Sequence, residues 1–372
     1  MRILVIGSDR KMFDESSAVA QRQIDYAGIS NNLDIVVFSA SSLQLKTTKL
    51  SENVVVYPSN SFSRWLYIFD AFRVSRKLSK PDLVSVQDPF ESGLAGYVMG
   101  KYFGVPLQVQ IHTDLMSSFF FRDSLLNKIR FYIAKFIIPC AKSIRVVSQR
   151  IKKSLLAVYP KISESIIQVL PVYMDFEKIR SAQIDVDLHK KYPQFKSIIL
   201  MASRLTKEKN IDLAVDAMVE VVKKFPNTGL IIVGNGSERE RLGWRVEGLG
   251  LQKNVIFEGW NNDLASYYKT AELFLLTSNY DGYAMTIVES LTAGTPVVMS
   301  NVGCAGEVVV DGQNGLIFPV GDLDRLVGCI TKMLSDPELR NGIKLGAQKM
   351  VWQTNKDEYL RLYRRSWETT LG

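Results

Sequence analysis

The chain has 372 residues, 47% of them hydrophobic and 23% charged, with a net charge of +8. That length is more than one ordinary core fills and suits two domains; the composition excludes long disorder, and no apolar run reaches the length of a spanning helix. The basic excess lies entirely within residues 1–175, which points to a polyanionic partner of that half: a membrane surface, nucleic acid or an acidic substrate.

RILVIG (2–7) is a short apolar run closed by glycine and predicts a buried parallel strand. It follows the initial Met directly where a cleavable signal would stand, so a cytoplasmic location is expected. Similar runs are DIVVFSA (34–40), DLVSVQ (82–87), PLQVQIH (106–112) and SIRVVS (143–148), with helical patterns between them at 63–78 and 92–104. Alternation of this kind predicts a parallel sheet covered on both faces. It restarts at SIILMAS (197–203) and continues through GLIIVGNG (229–236), NVIFEGW (254–260), ELFLLTS (272–278) and TPVVMS (295–300), with a helix at 210–225. A second doubly wound unit follows, joined to the first near 170–179. Such sheets bind ligands beyond the carboxyl ends of their strands, where strand order reverses.

Cys140, Cys304 and Cys329 are odd in number and lack metal-type spacing, so they read as reduced and mostly buried. His112 and His189, the only histidines, are too few for a histidine-rich metal site.

In SNYDGYAMTIVES, Gly282 follows a strand pattern and a helix is predicted from about Ala284 or Met285 to Ala293, ended by Gly294. Its first-turn N–H groups and positive end suit phosphate or hydroxyl-rich ligands. Asp281 then stands in the loop and Glu289 on the helix, two acceptors at different depths; helix-dipole stabilisation and a solvated glutamate are the plainer alternatives. In ASRLTKEKNIDLAVDAM, Arg204 and Lys209 flank a strand-to-helix loop at the same edge and together suit a diphosphate, or form a solvated basic loop with Lys207. VGNGSERERL places Gly234 at a strand end where backbone can approach a ligand, but neither it nor GSDRKMFDESSAV carries the dinucleotide fingerprint.

The order SRLTKEKNID, IIVGNGSERERL, VIFEGW, 279–300 and VVVDGQNGLIFPVGD resembles the donor domain of retaining GT-B glycosyltransferases of the group 1, family 4 type, over most of residues 195–335. The resemblance implies two Rossmann-like doubly wound α/β domains facing across a cleft: an acceptor domain at 1–172, onto which a helix at about 353–372 packs back, and a donor domain at 173–352. The family's pair of glutamates seven residues apart falls on Asp281, one methylene shorter, and Glu289. Glu289 is expected to bind ribose hydroxyls, and Asp281, with the backbone of Gly282, Tyr283, Ala284 and Met285, the transferred sugar. Arg204 and Lys209 match the family's diphosphate pair, Gly234 the glycine-rich turn, and the backbone at Phe257, Glu258 and Gly259 its nucleobase contacts.

His112 in VQIHTD matches a histidine that faces the sugar in relatives; a histidine satisfied at a strand terminus is the plain alternative. The family's glycine pair in the first loop is replaced, leaving Ser16 and Ser17 as candidates for the loop facing donor and acceptor. The implied activity is hexosyl transfer from a nucleoside-diphosphate sugar to a saccharide or lipid-linked acceptor by a front-face mechanism, with no metal or other cofactor and no nucleic acid partner. A nucleotide-sugar epimerase of the same fold and a non-catalytic sugar-nucleotide-binding protein remain the alternatives. In residues 117–143, Leu125, Ile129, Ile133, Phe136 and Ile137 recur at helical spacing while Lys128, Arg130 and Lys135 project elsewhere. Two readings stay open there: a peripheral contact with an anionic membrane on its inner face, or a core helix beside an acceptor groove.

Overall fold

The computed structural model describes residues 1–349 and 355–372. Residues 1–173 with 355–372 form one compact unit and residues 174–349 another; the expected junction at 352/353 lies outside the described residues.

The first unit is built on β1 (Arg2–Gly7), β2 (Asn32–Val37), β3 (Thr48–Ser51), β4 (Val54–Pro58), β5 (Leu83–Val86), β6 (Leu107–Ile111), β7 (Ser143–Val146) and β8 (Ile167–Val169). Their order is β3-β4-β2-β1-β5-β6-β7-β8, parallel except for the β3–β4 pair, so strand order reverses between β1 and β5. The central strands are apolar on both faces because helices cover both: Ile3, Ile6, Val84, Val86, Val109 and Ile111 are all fully buried.

Four strands escape the sequence reading. β3 is polar and partly exposed at the sheet edge, its partner β4 ends in a proline, and β8 has three residues. An edge strand needs no alternation when only one flank is paired, and the proline that closes β4 lies beyond its pairing with β3. The fourth, in the second unit, begins on a glycine.

The helix Lys356–Leu371 returns to the first unit. Tyr359, Tyr363 and Trp367 repeat at helical spacing and are buried. Tyr363 stacks on Tyr26 at 4.0 Å between centroids, and Trp367 meets Tyr363 edge-on at 4.9 Å. Gln108, in the middle of β6, is satisfied by this helix: its Nε2 donates to Ser366 O at 2.9 Å.

The second unit holds β9 (Ser197–Ala202), β10 (Thr228–Val233), β11 (Val255–Glu258), β12 (Leu273–Leu276), β13 (Val297–Ser300) and β14 (Gly315–Phe318), all parallel in the order β11-β10-β9-β12-β13-β14. Apolar clusters lie on both faces, one with the helices Ile211–Lys224 and Leu323–Ser335, the other with Met285–Thr292 and Leu264–Thr270. Strand order reverses between β9 and β12, the point at which such a sheet opens a crevice. On the outer surface Arg241 forks onto Asp212 (2.8 and 2.5 Å) and Arg245 onto Asp216 (2.8 and 2.6 Å), fastening two neighbouring helices. Of the cysteines, Cys304 is buried and Cys329 half-buried, but Cys140 is exposed. It follows Pro139 in the turn that ends a helix, outside either core.

Trp367→Ala removes the largest ring from the seam between the terminal helix and the sheet. We expect the first unit to lose about 3–5 kcal/mol, read by circular dichroism in urea; an unchanged midpoint would mean that the helix packs only superficially.

Candidate functional site

The loops after β9 and β12 carry most of the predicted donor residues and are tied to each other. Asn279 N donates to Glu208 O at 2.8 Å, Asn210 Nδ2 to Asn279 Oδ1 at 3.0 Å, and Thr277 Oγ1 lies 3.0 Å from Lys209 O and 2.9 Å from Asn210 O. Across this seam Lys209 Nζ donates to Asp281 Oδ2 at 2.6 Å, both side chains being mostly buried. The two residues were expected on different parts of a ligand; in the structure they hold each other. Arg204 stays largely in solvent, its side chain 71% exposed, and Nη2 meets Glu208 Oε1 at 3.1 Å. Each cation thus has a local carboxylate, and Glu208 is a participant that the sequence reading missed.

Asp281 also shapes the helix start. Its Oδ1 accepts from Ala284 N at 3.1 Å, and Ala284 takes a left-handed conformation (φ 66°, ψ 62°) immediately before the helix Met285–Thr292. A side chain at such a φ is strained. The strain is held from both sides: Cys304 N donates to Tyr283 O at 3.1 Å, and Gly303 lies so close that a Cβ there would stand 2.9 Å from the Tyr283 carbonyl. Gly282, Tyr283, Ala284 and Met285 therefore form a fixed turn ahead of a helix whose first amides lack intrahelical acceptors.

Glu289, in the second turn of that helix, is half-buried, and its Oε2 accepts from the hydroxyl of Tyr268 at 2.8 Å. Burial raises its pKa, and the Tyr268 hydrogen bond opposes this. Tyr268 comes from a different helix, Leu264–Thr270, and nothing in the local sequence joins it to Glu289.

Beside this cluster, Gly234 (φ 138°) ends β10. A Cβ there would meet Ser203 O at 2.0 Å, so only glycine lets this turn lie on the loop after β9. Its N–H reaches the carbonyls of Glu258 and Gly259, both at 3.2 Å. Phe257 packs beneath Arg239, whose guanidinium is 4.2 Å from the ring centroid. The Glu258 side chain is committed elsewhere: Lys191 Nζ is 2.7 Å away, and the hydroxyls of Tyr192 and Tyr267 both donate to it. Burial alone would raise this carboxyl, but the three donors outweigh it and hold the pKa below its ordinary value. At Glu258 only the backbone is left for a ligand.

In the first unit, His112 follows β6 and lines a cavity of about 350 Å³ with Ser8, Asp9 and Gln87. Its Nε2 is 3.2 Å from Gln110 Oε1 and 3.5 Å from Arg145 Nη2. Although the residue is exposed, the packing around its ring, then Arg145 and Arg22, push its pKa down to about 3. The ring is therefore neutral at physiological pH. Ser17 caps the helix Ala18–Ala27, accepting from Ala20 N at 3.0 Å and donating to Lys11 O at 2.6 Å; Ser16 donates to Asp14 at 2.6 Å. Neither serine lines the cavity.

Two family profiles divide the chain between them. Residues 30–178 match the Glycosyltransferase Family 4 description and residues 187–350 match Glycosyl transferases group 1. The chain belongs to the group 1, family 4 glycosyltransferases. It is similar to the poly(glycerol-phosphate) alpha-glucosyltransferase of Bacillus subtilis (strain 168), 30% identical over 45% of this chain but only 25% of that protein's length. It is also similar to the alpha-monoglucosyldiacylglycerol synthase of Acholeplasma laidlawii, 24% identical over 82% of this chain and 80% of that one. Among solved structures, HepE of Anabaena in complex with UDP-glucose matches with a TM-score of 0.77 at 19% identity, covering 99% of both chains. That likeness is one of fold, and the fold is GT-B.

A glutamate whose pKa is raised by folding weakens the folded state as pH climbs from the ordinary carboxylate range through the raised value, because the unfolded chain ionises first. Glu289→Gln should therefore raise the melting temperature of the second unit at pH 7 and leave it nearly unchanged at pH 4. A gain equal at both values would show that burial of the charge is not its origin.

Proposed function

We propose that the chain is a retaining hexosyltransferase, moving a sugar from a nucleoside diphosphate to a saccharide or lipid-linked acceptor. The observation that carries this reading is the grouping, at the β9/β12 reversal, of two cations, two carboxylates and a fixed helix start. Glu289, oriented by Tyr268, takes the ribose hydroxyls. Asp281 and the Gly282–Met285 turn take the hexose, and the backbone at Phe257–Gly259 takes the base. Arg204 and Lys209 exchange their carboxylate partners for the diphosphate. The complex of HepE with UDP-glucose supports a donor of this class.

In the front-face step the bond from the anomeric carbon to the diphosphate oxygen breaks as the acceptor oxygen joins the same face of the sugar, and the acceptor proton passes to the departing phosphate oxygen. Negative charge grows on the diphosphate, where Arg204, Lys209 and the helix end stabilise it most in the transition state. These groups supply the electrostatic work, so we propose transfer without a metal. His112, neutral at working pH, serves as a hydrogen-bonding group to the sugar and not as a cation.

Arg204→Ala should lower kcat about a hundredfold, corresponding to about 3 kcal/mol in the barrier. Stability should be unchanged, since its pair with Glu208 is exposed and worth little. Product formation followed by chromatography, with and without EDTA, checks both statements; undiminished turnover of the variant, or abolition by EDTA, would contradict them.

A membrane-facing role gains support from residues that stayed out of the core. Of the five apolar positions read as one helical stripe, only Ile137 is fully buried; Leu125 is 74% exposed, and Ile129 and Phe136 about half exposed. Arg130 is bound to Glu91 at 3.0 Å, whereas Lys128 and Lys135 are exposed. The helix Leu125–Ile137 neighbours Glu91–Phe103, which neighbours Tyr67–Ser75. On that side Phe69 and Tyr102 are exposed, and just before it Phe62 and Trp65 are each 90% exposed. Monomeric proteins rarely leave so much aromatic surface uncovered, and aromatics beside lysines suit an anionic bilayer surface. Among the described residues no helix is long and apolar enough to cross a membrane. We expect the full chain to co-sediment with vesicles containing anionic lipid and Trp65→Ala to bind several-fold less; equal pelleting on neutral and anionic vesicles would remove the electrostatic part.

A further inference from the structure

The cavity beside His112 is also lined by Arg22, Arg145 and Trp367. Arg145 rises from β7 and is 3% exposed. Its Nη1 lies 3.4 Å from the Tyr359 hydroxyl, and its guanidinium stacks 4.6 Å from the Tyr363 ring centroid. Among the described residues the Nε–H has no acceptor. Trp367, 1% exposed on the terminal helix, likewise has an Nε1–H without an acceptor. Two buried donors, on residues that line one cavity, are thus unsatisfied, which natural cores seldom tolerate.

The charge count around them is lopsided as well. Among the described residues neither Arg22 nor Arg145 takes part in an ion pair. Two carboxylates also line the cavity, and neither pairs with Arg22 or Arg145; Asp9 Oδ1 accepts from Lys11 N at 3.0 Å and Asp88 Oδ1 from Phe90 N at 2.8 Å. A buried guanidinium with no anion beside it is expensive to keep. A group made only of acceptors would answer the uncompensated charge, and a planar or tetrahedral oxyanion matches the arginine fork.

We propose that this cavity binds an oxyanion, a carboxylate or a phosphate monoester, through the guanidinium groups of Arg145 and Arg22. The assignment of that anion to the sugar acceptor rests on the transferase reading above; the binding itself does not. An acceptor held by its acidic group in the first unit would be selected against neutral saccharides, because a neutral ligand leaves the buried charge unanswered.

The experiment is a thermal-shift titration of the full chain with sn-glycerol 3-phosphate, glucuronate, and the neutral controls glycerol and glucose, with saturating UDP present so that Arg204 and Lys209 are occupied. A saturable rise in melting temperature with either anion and not with its neutral control is expected; which anion acts tells phosphate from carboxylate. Arg22→Gln and Arg145→Gln should weaken it about tenfold or more, the former standing in if the latter fails to fold, while Arg204→Ala should keep it. The proposal is overturned if neither anion gives a saturable shift, in which case water alone satisfies the donors. It is equally overturned if the neutral compounds act as well, or if the shift survives Arg22→Gln and disappears in Arg204→Ala. Loss of the UDP response alone would count against the donor reading and leave this one standing.

Discussion

The ion pair between Lys209 and Asp281 joins the loops that leave β9 and β12 at the point where strand order reverses. Neighbouring strands whose chain connections run in opposite directions leave their loops diverging, and something must hold those loops in register if they are to act together. The 2.6 Å contact does so from partly buried side chains, with Asn210, Asn279 and Thr277 fastening the backbone on either side. A mostly buried pair contributes little net stability once desolvation is counted. Its larger effect is positional: it fixes one cation and one carboxylate at a defined place on the sheet edge. On the proposed reading, a diphosphate competes with Asp281 for Lys209, and the carboxylate so released is the one assigned to the sugar.

The same aspartate carries a second task, which explains why a short side chain suits this position. Its other oxygen accepts the amide of Ala284, three residues on, in a turn that Ala284 can enter only with a positive φ. Strain of this kind persists where surrounding contacts over-determine it, and here the loop through Gly303 and Cys304 does so. The helix start is thus rigid before any ligand arrives, and its amides need no reorganisation to meet negative charge. Glu289 is prepared differently: its cost is electrostatic, a carboxylate drawn out of water and steadied by one tyrosine hydroxyl.

Much of the fold was legible because buried parallel strands and covering helices leave apolar runs that local pattern detects. The polar edge strand β3, its proline-ended partner and the three-residue β8 leave no such trace. At the site, the spacing of Asp281 and Glu289 across a loop and a helix was visible, since sequence neighbours supply it. Tyr268, Glu208 and Gly303 were not, because tertiary folding alone brings them to those residues. At Glu258 the expected contact is through backbone, and the partners of its side chain, Lys191, Tyr192 and Tyr267, are likewise brought to it by folding alone. Ser17, a loop candidate from the resemblance alone, has its hydroxyl occupied as the cap of the helix that follows it.

The terminal helix gives the first unit a feature that its own continuous segment lacks. Tyr363 and Trp367 line the cavity beside His112, and Tyr359 and Tyr363 surround Arg145, yet they are separated from β7 in sequence by the whole of the second unit. The guanidinium and its aromatic surroundings are therefore complete only when both ends of the chain have been made and folded. A strand arginine would be a poor choice for a core that closed on itself, because its charge has no water and no carboxylate to turn to. It is a sensible choice for a core whose last wall is a helix of tyrosines and tryptophan, which offers a ring face to the cation beside a space of ligand size. On the proposed reading the expense of burying Arg145 belongs to recognition and not to the fold, at a position whose neighbours Ile144 and Val146 are wholly apolar.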